Sequence, residues 1–243
     1  MKSKLTNKTV LAHSSNYTKG RKGYKVCKIT PHHMSGVLSG EQCAKIFQRA
    51  SRDASANYCI GVKGDIVCSV DEDNRAWTSS SKWNDCQAIT IEVSNSKTGG
   101  KWPISNASWK SLVKLCVDIC TRYKFRLTYD GTKKGSLTRH NMYANTDCPG
   151  PYLQSKFPQL VKEVNAELDK ANKKATSSKS TFKSYKVKIN TAVLNVRSGA
   201  GTSYKVTTTV KKNQIYTIIE EKNGWGKLKS GAGWIKLSYT KKV

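Results

Sequence analysis

The residues best suited to chemistry lie in a turn-prone segment, Thr138–Gly150, where His140 and Cys148 are eight positions apart. The adjacent histidines His32 and His33 lie far upstream. Imidazole nitrogen and thiolate sulfur are donors that zinc prefers, and three protein ligands leave one position open for catalysis. These residues therefore predict a hydrolytic zinc centre. The residues alone leave open whether His32 or His33 is the third ligand.

The chain is strongly basic, with 43 Lys and Arg residues against 16 Asp and Glu. The excess is densest in residues 169–243, which hold 17 basic and three acidic residues. Such a charge attracts polyanions: nucleic acid, anionic lipid or the phosphate-rich polymers of a bacterial wall. Nucleic-acid binding is supported by charge alone, because no interleaved basic and aromatic motif of a known type is present. We therefore do not expect a nucleic-acid partner.

The cysteines and the first residues indicate where the protein is made. All eight cysteines precede Gly150, and Met1–Lys8 lacks the apolar core of a secretory signal. No apolar run has the length needed to span a membrane. We expect synthesis in the cytosol, no membrane partner, and reduced cysteines that mostly act as small core residues.

Residue periodicity predicts the elements that position these side chains. Tyr24–Thr30 is predicted to be a strand that ends at Pro31 and presents the histidines at its end. Residues 88–94 alternate in polarity, which places Glu92 on the polar face of a half-buried strand. The other predicted elements are a helix capped at Ser39, a hairpin at Lys63-Gly64, a helix over Ser105–Tyr123, a short strand at Arg126–Tyr129 and a last helix from Pro151.

The composition changes after the last predicted helix. Residues 172–184 are rich in Lys, Ser and Thr and are predicted to form a flexible linker. Short β-type runs with glycine punctuation follow in residues 185–243 and indicate a small barrel. The chain is therefore divided into regions 1–171, 172–184 and 185–243.

Several motifs occur in the order found in a known family. They are Lys28–Met34, Ser55–Tyr58, Arg75–Trp77, Ile91–Val93, Thr138–His140 and Asp147–Gly150. Together they resemble the type 2 N-acetylmuramoyl-L-alanine amidases, whose zinc fold is shared with peptidoglycan recognition proteins. The tail resembles a bacterial SH3 domain of the wall-binding kind through Leu194–Gly199, Asn223–Leu228 and Gly233–Ile235. This combination is similar to a phage endolysin.

The resemblance implies the fold and the activity. Region 1–171 would be an α/β amidase domain with a central mixed β-sheet flanked by helices, and region 185–243 a small all-β SH3-like barrel that binds the cell wall. The expected reaction is hydrolysis of the amide bond between N-acetylmuramic acid and L-alanine in bacterial peptidoglycan. An endolysin of this kind is made in the host cytoplasm without a signal peptide and reaches the wall through a holin.

The resemblance also assigns roles to residues. It gives zinc to His32, His140 and Cys148, and leaves His33 as a packing or supporting residue. Glu92 matches the catalytic glutamate of some relatives and would be the general base; a solvent-facing strand carboxylate is the alternative.

The sequence departs from some relatives at two positions of the expected site. Ala56 stands where some relatives have a catalytic tyrosine, and Thr146 where some have a lysine. Thr146 is predicted to donate a hydrogen bond to the oxyanion, with a turn threonine as the alternative. Trp77 and Asn57 are predicted to line the substrate cleft, with aromatic burial as the alternative for Trp77.

In the tail, Tyr204, Trp225 and Trp234 are predicted to bind the wall, although aromatic residues of small barrels often form the core instead. The tail lysines are expected to attract anionic wall polymers. Two other functions stay open at this point: a peptidoglycan-binding protein without catalysis, and a bacterial autolysin with the same chemistry.

Overall fold

The structure is a computed structural model that describes residues 1–177 and 182–243. Its chain forms two compact units, residues 1–172 and 173–243. In chain order residues 1–177 form β1 (Lys8–Thr9), β2 (Tyr17–Thr18), β3 (Lys28–His33), α1 (Gly40–Ile46), β4 (Tyr58–Ile60), β5 (Ile66–Cys68), β6 (Arg75–Ala76), α2 (Lys82–Gln87), β7 (Ala88–Val93), α3 (Asn106–Tyr123), α4 (Pro151–Ser155) and α5 (Phe157–Ser177), and the first unit ends within α5. As expected, this unit is a mixed α/β fold.

The central sheet of the first unit has the strand order β1-β5-β4-β7-β3. Strand β7 runs parallel to both of its neighbours, and its register with β3 places Glu92 directly beside His32. Apolar side chains of β7 pack with α3 and α5, whereas Cys59 and Val67 of β4 and β5 pack with α1 on the opposite face. Thr90 on the polar face of β7 is fully buried as well, and Glu92 alone is partly exposed, so the predicted half-buried strand is wrong on this point.

The strand that carries the histidines is shifted from its predicted position. It begins at Lys28 and continues through Pro31 to His33, whereas the prediction ended it before Pro31. Proline cannot donate a ladder hydrogen bond, but an edge strand tolerates this loss, and β3 lies at the edge of the sheet. The continuation places both histidines on regular strand backbone.

The helix predictions depend on capping signals that the structure contains. Ser39 and Gln42 form a reciprocal capping box at α1, and the Ser105 hydroxyl accepts from the backbone N–H of Ser108 at α3. The hairpin between β4 and β5 turns at Gly64, whose φ of +84° suits glycine. The predicted last helix is divided into α4 and α5.

Two further predictions need correction. Residues 126–129 do not form a strand, because side chains take the place of a neighbouring strand there. Leu127 N donates to Asn165 Oδ1, and Thr128 N donates to Ser136 Oγ. Helix α5 continues through Ser177, so the first residues of the predicted linker are helical, which suits their Ala and Lys content. Residues 178–181 of that linker lie outside the described residues.

The second unit is an all-β antiparallel sheet with the order β10-β9-β13-β12-β11-β8-β14. Its strands are β8 (Tyr185–Ile189), β9 (Val193–Arg197), β10 (Val206–Lys211), β11 (Ile215–Lys222), β12 (Trp225–Leu228), β13 (Trp234–Lys236) and β14 (Thr240–Lys242). Alternate residues such as Val187, Val196, Ile218 and Ile235 form its core. Across the described ranges, none of the helices has the length and apolar character needed to cross a membrane.

Candidate metal centre

Three donor side chains from separate segments converge at one end of β3. His32 is the penultimate residue of that strand, His140 begins a short 3-10 turn, and Cys148 lies in the loop that follows. Their donor atoms all lie within 4.8 Å of one another. His32 Nδ1 is 3.2 Å from Cys148 Sγ, and the rings of His32 and His140 are 5.0 Å apart. The structure therefore brings together the three residues that the sequence suggested as ligands.

Backbone hydrogen bonds hold the loop against the sheet. Thr138 N donates to Ile29 O, and Asn141 N donates to Cys148 O at 3.1 Å, which closes the loop on itself. Gly150 has a φ of +84°, and a Cβ there would lie 3.5 Å from the His33 ring. Its positive φ suits glycine, and the hydrogen bond from Asn141 N holds the backbone of Cys148.

The buried donor atoms fit a cation. His32 is 1% exposed, and the ring nitrogen that faces the Cys148 sulfur is its Nδ1, at 3.2 Å. Burial, with His140 and His33 nearby, lowers the pKa of His32 well below its usual range, so the ring is neutral and able to bind a metal. Burial raises the pKa of the Cys148 thiol, and a bound cation would offset this by stabilising the thiolate.

The spacing and chemistry of the cluster also match zinc. Ligands of a tetrahedral zinc ion lie roughly 3.5 Å apart, and two imidazoles with one thiolate make up a three-ligand set with an open position. Ser80 Oγ lies 3.3 Å from His140 Nε2, where it can orient the ring of this ligand. The residues present therefore fit a zinc ion.

Glu92 lies beside the cluster in a cleft of about 320 Å³ that His32, His140, Cys148 and Thr146 also line. Its Oε2 is buried and has no hydrogen-bond partner. Burial raises the pKa of Glu92 to about 8, and the positive charge of Arg52 acts in the opposite direction. A carboxyl group with a pKa near neutral can take up a proton and return it. The sequence placed Glu92 on a polar strand face, whereas in the structure that face forms the floor of the cleft.

Trp77 lines the cleft, and contacts of its indole hold the side chain in place. Its Nε1 donates to Thr18 Oγ1 at 2.8 Å, and the Arg75 guanidinium lies 5.6 Å from its ring. These contacts orient the ring as part of the cleft wall.

The structure does not bring Asn57 to the cleft. Asn57 is fully buried, and its amide donates to the backbone carbonyls of Val70, Asp71 and Asn74 while accepting from Thr90 N. An amide with its donors and acceptor engaged in this way fastens loops to the sheet. The predicted substrate contact is therefore corrected to a structural contact.

Thr146 lies at the rim of the cleft, and its hydroxyl oxygen accepts from Cys148 N at 3.2 Å. This bond is that of a turn threonine, and it leaves the hydroxyl hydrogen able to donate. His33 is not part of the cluster: it contacts Trp102 edge-on and lies within hydrogen-bond distance of Ser35 Oγ.

Sequence reasoning missed Arg52, the sole Lys or Arg among the described residues that line the cleft. It comes from a short 3-10 turn, Ala50–Arg52, after α1. Nothing in the local sequence distinguishes this arginine from other surface arginines, because the contacts that place it come from residues far away in the chain.

The three aromatic residues predicted for wall binding do not form one cluster. Trp225 and Trp234 lie on the same face of neighbouring strands; Trp225 is 7% exposed and lines a groove of about 400 Å³ with Arg197, Lys236 and Tyr239. Trp234 lies beneath Lys227. Tyr204 is half-exposed and packs against two loop glycines instead.

Sequence comparison identifies two regions of the chain. A family profile described as N-acetylmuramoyl-L-alanine amidase matches residues 22–151, and one described as bacterial SH3 domain matches residues 192–241. No curated protein sequence matches the chain.

Solved structures share the fold of the first unit. PlyL superimposes with a TM-score of 0.53 at 15% identity, covering 65% of this chain and 96% of PlyL. The PlyG catalytic domain has a TM-score of 0.50 at 17% identity, covering 65% of this chain and 93% of that domain. At this identity the likeness concerns the fold alone.

Proposed function

Because this chain belongs to the N-acetylmuramoyl-L-alanine amidase family and carries a bacterial SH3 domain, we propose that it is a zinc-dependent endolysin. It would hydrolyse the amide bond between N-acetylmuramic acid and L-alanine in bacterial peptidoglycan. The observation that carries this proposal is the carboxylate of Glu92, with one unpartnered oxygen, beside the cluster of His32, His140 and Cys148.

The chain's own residues would divide the work of amide hydrolysis. His32, His140 and Cys148 would hold the zinc ion, which when bound lowers the pKa of a water molecule and polarises the scissile carbonyl. Glu92 Oε2 would take the proton from the attacking water and return it to the nitrogen of the departing L-alanine. The raised pKa of Glu92 suits both transfers near neutral pH. Thr146 would donate its hydroxyl hydrogen to the oxygen that becomes negative.

The surroundings of Glu92 in the cleft support these proposed roles. The cleft is also lined by the apolar side chains of Leu38, Ile46 and Phe47 and by the indole of Trp77. A substrate that fills this space displaces water, which strengthens the electrostatic contacts inside it.

The second unit would hold the enzyme on its polymeric substrate. The groove at Trp225 offers a ligand surface, and the described residues 182–243 contain 13 Lys and Arg but two acidic residues. Anionic wall polymers are therefore a second proposed partner. Action at the bacterial wall follows from this substrate, and release through a holin stays a prediction.

Product analysis tests the reaction. Digestion of purified peptidoglycan should release peptides with a free N-terminal L-alanine and no new reducing sugar ends, as read by mass spectrometry and a reducing-end assay. Chelation should abolish the reaction, and added Zn²⁺ should restore it. New reducing ends without free alanine, or full activity after the metal has been removed, would contradict the proposal.

A further inference from the structure

The cleft contains one positively charged side chain for which the hydrolytic reaction as described has no use. Arg52 is exposed and lines the cleft that contains Glu92. Within the described ranges its guanidinium has no hydrogen-bond or ion-pair partner, although the chain forms such pairs at Arg122 and Arg126. Arg52 therefore presents a free guanidinium at the cleft.

The backbone beneath Arg52 is held by a side chain from the N-terminal segment. Asn16 is fully buried; its Nδ2 donates to the carbonyls of Phe47 and Arg49 at 2.8 Å each, and its Oδ1 accepts from Asp53 N at 3.1 Å. We name this arrangement the Asn16 clamp. It spans the turn on both sides of Arg52, so the base of the arginine side chain is fixed although its end is in solvent.

A further contact and a backbone bend complete the support. Ser15 Oγ donates to Ala50 O at 2.8 Å, and Asp53 adopts a left-handed conformation that ends the turn. A fixed backbone reduces the conformational entropy that an arginine loses when it binds a ligand. This is the arrangement expected of a recognition residue.

We propose that Arg52 binds a carboxylate on the peptide side of the scissile amide and so selects stem peptides with a free carboxyl near L-alanine. This inference rests on the proposed function. In that substrate the carboxyl of the muramoyl group is consumed in the amide bond itself, so an anion beside the reacting centre comes from the peptide. A guanidinium matches a carboxylate with two parallel hydrogen bonds, which an amide cannot reproduce.

The test compares two sets of glycan strands whose stem peptides differ only at the α-carboxyl of the residue after L-alanine, which is free in one set and amidated in the other. The native enzyme should have a kcat/KM about tenfold higher for the free carboxyl, with the difference in KM. In Arg52→Gln the ratio should fall to about one, and Arg52→Lys should keep part of it. Arg49→Gln is the matched control, because Arg49 is exposed in the same turn but does not line the cleft.

Three outcomes would overturn the inference. One is a ratio that Arg52→Gln leaves unchanged. Another is the same loss of the ratio in Arg49→Gln. The third is an equal change on both substrates with a shifted pH profile of kcat, which would mean that Arg52 acts through Glu92. These outcomes leave the amidase reaction itself intact, whereas a native enzyme that releases alanine-terminated peptide from neither substrate would contradict the proposed function.

Discussion

Two glutamates of the first unit have buried carboxylate oxygens but differ in the number of their hydrogen-bond partners. The Glu72 carboxylate accepts from both terminal nitrogens of Arg122, from Tyr58 Oη at 2.5 Å and from Tyr123 Oη at 3.0 Å. Glu92 has a buried oxygen with no partner. A buried charge with a full set of partners is stable in the folded protein, whereas one without partners keeps its capacity for proton transfer.

The two carboxylates also contact different parts of the molecule. Through Tyr58, whose hydroxyl accepts from Ser3 N, and Arg122 near the end of α3, Glu72 ties the first residues of the chain to the sheet and a helix. Glu92 instead faces the ligand cluster and the cleft. Burial alone therefore does not distinguish a functional acid from a structural one; the number of partners does.

The largest expected effect is on catalysis by Glu92→Gln. We expect kcat to fall about 10²- to 10⁴-fold, because the amide cannot accept the proton, while the melting temperature is retained. Turnover of peptidoglycan measures kcat, and thermal unfolding of the same preparation measures the melting temperature. A variant that loses stability in proportion to activity would contradict the separation of the two glutamates.

Glu72→Gln should show the reverse pattern. Removing one partner of a buried ion pair leaves Arg122 inadequately paired, so the first unit should lose about 3 kcal/mol of unfolding free energy, with turnover per folded molecule retained. Denaturant unfolding measures this. Glu41→Gln is the control, since Glu41 pairs with exposed lysines and should change stability little.

Tyr58→Phe tests the hydrogen bonds around Glu72 by removing a single hydroxyl group. The variant loses the hydroxyl that donates to Glu72 and accepts from Ser3 N. We expect a loss of about 1–2 kcal/mol in stability and an unchanged kcat, because Tyr58 is fully buried away from the cleft. A lowered kcat at full stability would instead give this tyrosine a role in the reaction.

The smallest expected effect is a change of the melting temperature with pH in the metal-free protein. The pKa of Glu92 is raised to about 8 from an ordinary value of 4.5. Its contribution to stability is therefore fully present below about pH 4.5 and lost as the pH rises through 8. The melting temperature of the wild type should fall relative to that of Glu92→Gln across this window in the presence of a chelator. A constant difference would contradict the raised pKa.

The ligand cluster was open to prediction because its residue types are distinctive. His140 and Cys148 fall in a turn-prone loop, and the resemblance to a known family selected His32 over His33. Strand alternation placed Glu92 on a polar face, and the resemblance to the family gave it the role of the general base. Alternation could not show that Glu92 lines a cleft, because the other residues that line it come from segments far away in the sequence.

The failures involve long-range hydrogen bonds. Asn57 occupies a motif that suggested substrate contact, yet its amide bonds with loop carbonyls 13 to 17 residues away. In residues 126–129, which were wrongly predicted to be a strand, the backbone N–H of Leu127 donates to Asn165, 38 residues further along the chain. Arg52 was overlooked for the same reason, since the residue that fixes its turn lies in another segment.

The Asn16 clamp has a consequence for dissecting the protein. The amidase profile begins at residue 22, six positions after the side chain that fixes one wall of the cleft. The N-terminal segment is therefore part of the smallest unit that can be expected to work. Trimming the chain to the recognised homologous region would leave every ligand and the proposed base in place, yet would remove the support from beneath Arg52.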